Sequence, residues 1–280
     1  LWIVRTARTA SADSCRESAG LAGLAGLVGS AGGGGEAGGG PGGASAGGRA
    51  AGASAAAGSG SAAGAPVAVA TTTQLGSVLD RVVACADARS VTVMGPGDDP
   101  HDFSASSAQV KDMVSSGLVF SNGLGLEGGM ESALANAEAD GATVVEVAPQ
   151  LDPLPFGGHD HAEEGAGHEG HDHGSEDPHV WMDVARMARA AELMGDTLAQ
   201  ERGDERFAEC GATVRGELEQ TDTQVREILA GIPEDRRTLV TDHDAYGYFS
   251  EAYDFTVSGV VVPGGSTDGQ PSSQETACLF

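Results

Sequence analysis

The chain has 280 residues and a formal net charge of −26, with 41 acidic against 15 basic side chains. That balance repels a phosphate backbone, and no basic stripe offsets it, so nucleic acid is excluded as the expected partner while cations are favoured. The longest apolar runs fall far short of the ~20 residues that a membrane-spanning helix needs.

At the start, Arg5, Arg8 and Arg16 precede LAGLAGLVGSA, which reads as a Gly-diluted secretory signal core, with Cys15 before the run rather than after it. Residues 19–65 are almost entirely Gly, Ala and Ser. Such side chains offer too little apolar volume to offset the entropy of ordering, so 1–65 is predicted to be a disordered leader and linker. Cys15, Cys85, Cys210 and Cys278 are scattered with no C-x-x-C. Neither a zinc ribbon nor a disulfide framework is predicted from them.

From Pro66 the pattern changes. VAVATTT (67–73), VTVM (91–94), LVFS (118–121) and TVVEV (143–147) are short apolar runs that read as strands. Between them lie helical stretches around Leu75–Val82, in SSAQVKDMVSS and in LEGGMESALANAEA. This alternation is the signature of a parallel sheet with crossover helices. A loop rich in His, Gly and acidic residues follows at 157–176, and then DVARMARAAELMGDTLAQERG, whose apolar residues keep helical spacing. A second long helix carries Phe207, Val214, Leu218, Val225 and Ile228 and stops near Gly231-Ile232-Pro233. TLVTDH, AYGYFSEAY and VSGVVV then read as strand, helix and strand. The expected fold class is α/β, with a second lobe starting near residue 234. Two strands and one helix cannot cover both faces of a parallel sheet, so that lobe is expected to be truncated.

Three histidines occupy similar places. His101 (GPGDDPHDF) follows a strand, His179 (EDPHVWMD) precedes a long helix, and His243 (TDHDAYGYF) leaves the first strand of the second lobe. All three are expected at the carboxyl edge of parallel sheets, where open α/β folds bind ligands. A loop histidine beside Asp is also an ordinary solvated residue; three at equivalent positions argue for a shared role. Three neutral imidazoles suit Zn²⁺, with binding that weakens as imidazole protonates below pH about 6.5. His159, His161, His168, His171 and His173 lie in the acidic loop without hydrophobic period and read as an accessory metal-gathering tract or as solvated loop. Asp177, Asp183, Asp242 and Asp244 are candidates to orient the rings. From residue 66 on there is no H-E-x-x-H, G-x-S-x-G or P-loop motif, and NGLGLEGG places an acid where a phosphate would sit.

ATTTQLGSVLDRV, GPGDDPHDFSASSAQVKDM, FSNGLGLEGGMESAL, EDPHVWMDVARMARAAELM and LVTDHDAYGYFSEAYDFTVSGVVVP occur in one order. Together, over roughly 66–275, they resemble the metal-binding solute proteins of bacterial zinc and manganese ABC transporters, and the His-rich acidic loop before DPHVW resembles the zinc-type branch. The resemblance implies an N-terminal lobe over 66–203, a rigid linking helix over 204–231 and a partial C-terminal lobe over 232–280. It also implies extracytoplasmic capture of Zn²⁺, with Mn²⁺ the alternative cargo, by His101, His179 and His243 in a periplasmic or membrane-anchored monomer. Delivery to an ABC membrane permease would follow, with no enzymatic reaction. Manganese-type members often carry a carboxylate at the position of His243, which favours zinc here. The family usually adds a fourth ligand, often an Asp, from a later segment, and some zinc members place Glu where this chain has Pro100. The competing functions are a mononuclear zinc hydrolase built on the same three histidines and a zinc buffer working through the loop alone.

Overall fold

Four apolar runs pair into a parallel sheet in the computed structural model, which describes residues 65–156, 176–262, 264–267 and 269. The strands are β1 (Ala68–Ala70), β2 (Ser90–Thr92), β3 (Leu118–Ser121) and β4 (Thr143–Glu146), in the order β2-β1-β3-β4. Val69 is in register with Val91 on one side and Val119 on the other, and Phe120 with Val145. The two central strands are buried at every residue, as expected of a parallel sheet covered on both faces, which explains their unbroken apolar sequence.

The run 67–73 is shorter as a strand than its composition predicts. Thr72 turns its hydroxyl onto the Leu75 N–H at 3.3 Å and caps α1 (Thr73–Cys85), so the threonines start a helix instead of prolonging the strand. α2 (Ser107–Ser116) begins with a reciprocal capping box between Ser106 and Gln109 and ends at Gly117, whose φ of 71° lies in the left-handed region that favours glycine. The predicted helix over 126–139 is divided. Its first part is a 3₁₀ turn at Gly128–Met130, and α3 covers Glu131–Ala139. A Cβ on Gly129 would lie 2.4 Å from the Phe103 carbonyl oxygen, and the Glu127 side chain points inward, so this stretch serves the loops rather than a helix face.

α4 (Val184–Arg202) and α5 (Arg206–Ala230) follow, joined through Gly203 in the left-handed region. They cross at Gly195 and Gly211, where a Cβ on Gly195 would fall 2.7 Å from the Gly211 Cα. The buried residues of α5 are Phe207, Cys210, Gly211 and Val214, all in its first half. Cys210 is disulfide-bonded to Cys85 at the end of α1, with Cα atoms 5.8 Å apart and 125 residues between them in sequence. The cysteine spacing predicts no disulfide framework, and this bridge is an addition to that reading; the pairing depends on helix packing that spacing cannot show. Cys15 and Cys278 lie outside the described residues.

Beyond α5, β5 (Thr238–Thr241) and β6 (Thr256–Val260) pair in parallel around α6 (Gly247–Tyr253). Tyr248 of α6 is fully buried in the main core with Phe120, Leu151 and Met194. Its hydroxyl donates to the Asp177 carbonyl at 2.6 Å and accepts from the Leu154 N–H at 3.0 Å. Among the described residues no helix is long and apolar enough to cross a membrane.

Two stability measurements follow from this packing. Replacing Cys85 and Cys210 by Ser is expected to lower unfolding free energy in urea by roughly 2–5 kcal/mol, because the bridge closes a long loop. Gly211→Leu should cost about 1–3 kcal/mol by forcing α4 and α5 apart, with unchanged far-ultraviolet dichroism below the transition.

Candidate metal centre

Asp177 sets the orientation of His179. Its Oδ1 accepts the His179 backbone N–H at 2.9 Å and lies 2.6 Å from the ring Nδ1. With Nδ1–H donating to the carboxylate, the neutral ring presents Nε2 as a bare lone pair. The ring is 1% exposed, and Nε2 is buried with no hydrogen-bond partner among the described residues. Leaving such an acceptor unpaired costs about 1–3 kcal/mol, a cost that a metal ion would relieve. Asp177 is itself held through its N–H to the Leu154 carbonyl at 2.7 Å and its carbonyl to Tyr248. Burial pushes the Tyr248 hydroxyl up to about 12, so it remains a proton donor in this contact.

His101 sits in the turn that follows β2, where its backbone N–H donates to Asp99 Oδ1 at 3.0 Å. His243 follows β5, and its backbone N–H donates to Asp242 Oδ1 at 2.9 Å. The same Asp242 oxygen lies 3.1 Å from the His243 Nδ1, but this buried nitrogen makes no hydrogen bond among the described residues. The three rings converge from three loops. Their centroids are 5.6 Å apart for His101–His179, 5.6 Å for His101–His243 and 5.2 Å for His179–His243. One ligand nitrogen from each lies within 4.8 Å of the others. Nitrogens around a tetrahedral Zn²⁺ at about 2.0–2.1 Å sit about 3.4 Å apart, so an ion would draw the rings together by at most about 1.4 Å.

The four acidic candidates divide. Asp177 and Asp242 stand beside imidazoles, whereas Asp183 accepts the Ala185 N–H at 2.8 Å as the cap of α4 and pairs with Arg186 at 2.6 Å. Its place before a helix made capping the stronger use. Asp244 donates its backbone N–H to the Gly264 carbonyl at 3.0 Å. His159, His161, His168, His171 and His173 lie outside the described residues. Aromatic side chains wall the buried ring, with Trp181 at 5.2 Å and Phe156 at 6.4 Å between centroids.

Asp99 is a neighbour that spacing alone does not single out. Its second oxygen accepts the Thr267 hydroxyl at 2.6 Å, joining the His101 turn to the segment after β6. Burial pushes the carboxyl up. The hydrogen bonds from Thr267 and the His101 N–H, with the histidine charges nearby, outweigh it and hold Asp99 below its ordinary value.

With this geometry in view, the family model described as "Zinc-uptake complex component A periplasmic" (ZnuA) matches residues 68–279. The chain belongs to the ZnuA family. The zinc-binding protein TroA of Treponema pallidum is 31% identical over 218 residues, 76% of this chain and 64% of that protein. The manganese-binding lipoprotein MntA of Bacillus subtilis is 32% identical over 203 residues, covering 71% and 61%. A solved structure of the TroA periplasmic zinc-binding protein superimposes with a TM-score of 0.63 at 28% identity, covering 77% of this chain and 73% of that one. The ZnuA-family chain thus spans a little under two thirds of the length of these curated relatives.

Thr267→Val removes one of the contacts that lower Asp99, so its carboxyl should titrate closer to its ordinary value, with Thr267→Ser restoring the shift; carbon-detected NMR across pH 2–6 reads both. Because the folded value is depressed, the link's contribution to stability is complete above pH about 4 and is lost as pH falls through the lowered value.

Proposed function

We propose that this chain captures a transition-metal cation, zinc by preference, outside the cytoplasmic membrane and passes it to an ABC-type permease. His101, His179 and His243 are the ligands in this reading. The observation that carries it is the buried Nε2 of His179, unpartnered and grouped with two other imidazoles. Three neutral nitrogen donors suit Zn²⁺ better than the harder Mn²⁺. Manganese is retained as second cargo because the relative named for manganese is as similar as the one named for zinc. The membership in a family described as the periplasmic component of zinc uptake supports the extracytoplasmic setting, the permease partner and a binding rather than a catalytic role.

The same reading divides the chain into a lobe over 66–203, a linking helix over 204–231 and a second lobe over 232–280, acting as a monomer. Cargo would be held where the loops after β2 and β5 meet the His179 loop, while the histidines of 159–173 serve as an accessory that gathers metal.

Competitive zinc titration against a chromogenic chelator tests the proposal. One ion should bind per chain, and each of His101→Ala, His179→Ala and His243→Ala should weaken it by about 100-fold or more, since three donors must remain to fill the site. Deleting 159–173 should leave this affinity within a few-fold. Tight binding that survives all three alanine variants but disappears with the loop would make the chain a loop-based buffer instead. Manganese binding tighter than zinc would change the cargo.

A further inference from the structure

Glu127 is a buried carboxylate that direct binding does not use. It is 4% exposed, and three donors point at it. The Thr71 hydroxyl donates to Oε1 at 2.6 Å, the Asn122 N–H to Oε1 at 2.7 Å, and the Gly123 N–H to Oε2 at 3.0 Å. Thr71 directly follows β1, and Asn122 and Gly123 directly follow β3. In the order β2-β1-β3-β4 the chain leaves β1 toward one edge and β3 toward the other, so the gap between their carboxyl ends is the topological switch point. Open parallel sheets bind ligands in that crevice, commonly an anion on free backbone N–H groups. Here the chain fills the crevice with its own carboxylate.

The side chain of Asn122 carries this arrangement onward. It is fully buried, and its Nδ2 donates to the Pro178 carbonyl at 2.9 Å and to the Gly123 carbonyl at 3.2 Å. The Pro178 carbonyl and the His179 N–H belong to one peptide unit, and that N–H is bound by Asp177 Oδ1. The planar unit is therefore gripped at its oxygen by Asn122 and at its nitrogen by Asp177. Fixing both edges of the plane fixes the His179 N–Cα bond, and the Met182 N–H on the His179 carbonyl at 3.1 Å restrains the one rotation left, which sets where the Cβ points.

We infer that Glu127 and Asn122 are positioning residues that anchor the Pro178–His179 peptide to the switch point of the sheet and thereby set the His179 imidazole. This rests on His179 being a ligand. Glu127 locks the Asn122 backbone, and Asn122 transmits that position to the ligand loop without touching the ion. A mere space-filling role would need neither three donors on one carboxylate nor an amide reaching across to residue 178.

Cobalt substitution tests the relay, because the visible ligand-field spectrum of Co²⁺ reports the geometry of its donors. Two near-isosteric variants are used on the full chain: Asn122→Asp, which cannot donate to the Pro178 carbonyl, and Glu127→Gln, which cannot accept from both loop N–H groups and Thr71. Circular dichroism and thermal midpoints select folded protein. Either folded variant should show shifted Co²⁺ bands and zinc affinity reduced by about 10–100-fold, the usual effect of losing a partner that orients a ligand. Wild-type bands and affinity in a folded variant overturn the inference, as does failure of both variants to fold, which leaves Glu127 and Asn122 a structural plug. A wild-type spectrum indifferent to His179→Ala would instead sink the ligand assignment itself, so the two failures are distinct.

Discussion

Two contacts accepted by one carboxylate oxygen govern the candidate centre. Asp177 Oδ1 takes the N–H of His179 and faces its Nδ1, so backbone position and ring tautomer are set by the same atom. Everything around this contact keeps it in place. The Leu154 carbonyl accepts the Asp177 N–H, and the Tyr248 hydroxyl donates to the Asp177 carbonyl. Tyr248 arrives from α6, so an element that follows the long helix helps to hold the ligand loop that precedes it. The cost is a bare Nε2 in the interior, which a bound cation would satisfy.

The other two histidines are less deeply buried. His101 and His243 each rest on a turn in which a nearby Asp accepts their backbone N–H, and both rings are only partly buried. In the proposed function, one fully buried and two partly exposed donors would suit a site that takes up and releases a metal ion. The strong negative charge of the chain adds a long-range attraction for cations that salt screens beyond about 8–10 Å.

Much of this was legible in the sequence where a local signal existed. LVFS occupies β3 residue for residue, and the two long helices begin and end close to their capping and glycine signals. The strand-end placement of His101 and His243 is readable because short apolar runs bound them. Errors arose where a side chain did an unforeseen local job: Thr72 and Asp183 cap helices, and the inward turn of Glu127 divides a helix. What stayed hidden depends on contacts between distant segments. The Asp99–Thr267 bond spans 168 positions and the Cys85–Cys210 bridge 125, and no spacing rule reaches that far.

The bridge also gives the fold a chemical dependence on its surroundings. Thiols stay paired only in oxidising compartments, and glutathione would keep Cys85 and Cys210 apart in a cytosol. In reduced protein the first half of α5 would be held on α1 and α4 by packing around Phe207, Gly211 and Val214 and by the Arg81–Glu217 and Arg215–Glu192 ion pairs. In the extracytoplasmic setting proposed above, the long helix would be cemented only once the chain has left reducing conditions, so that export and final rigidity would become one event.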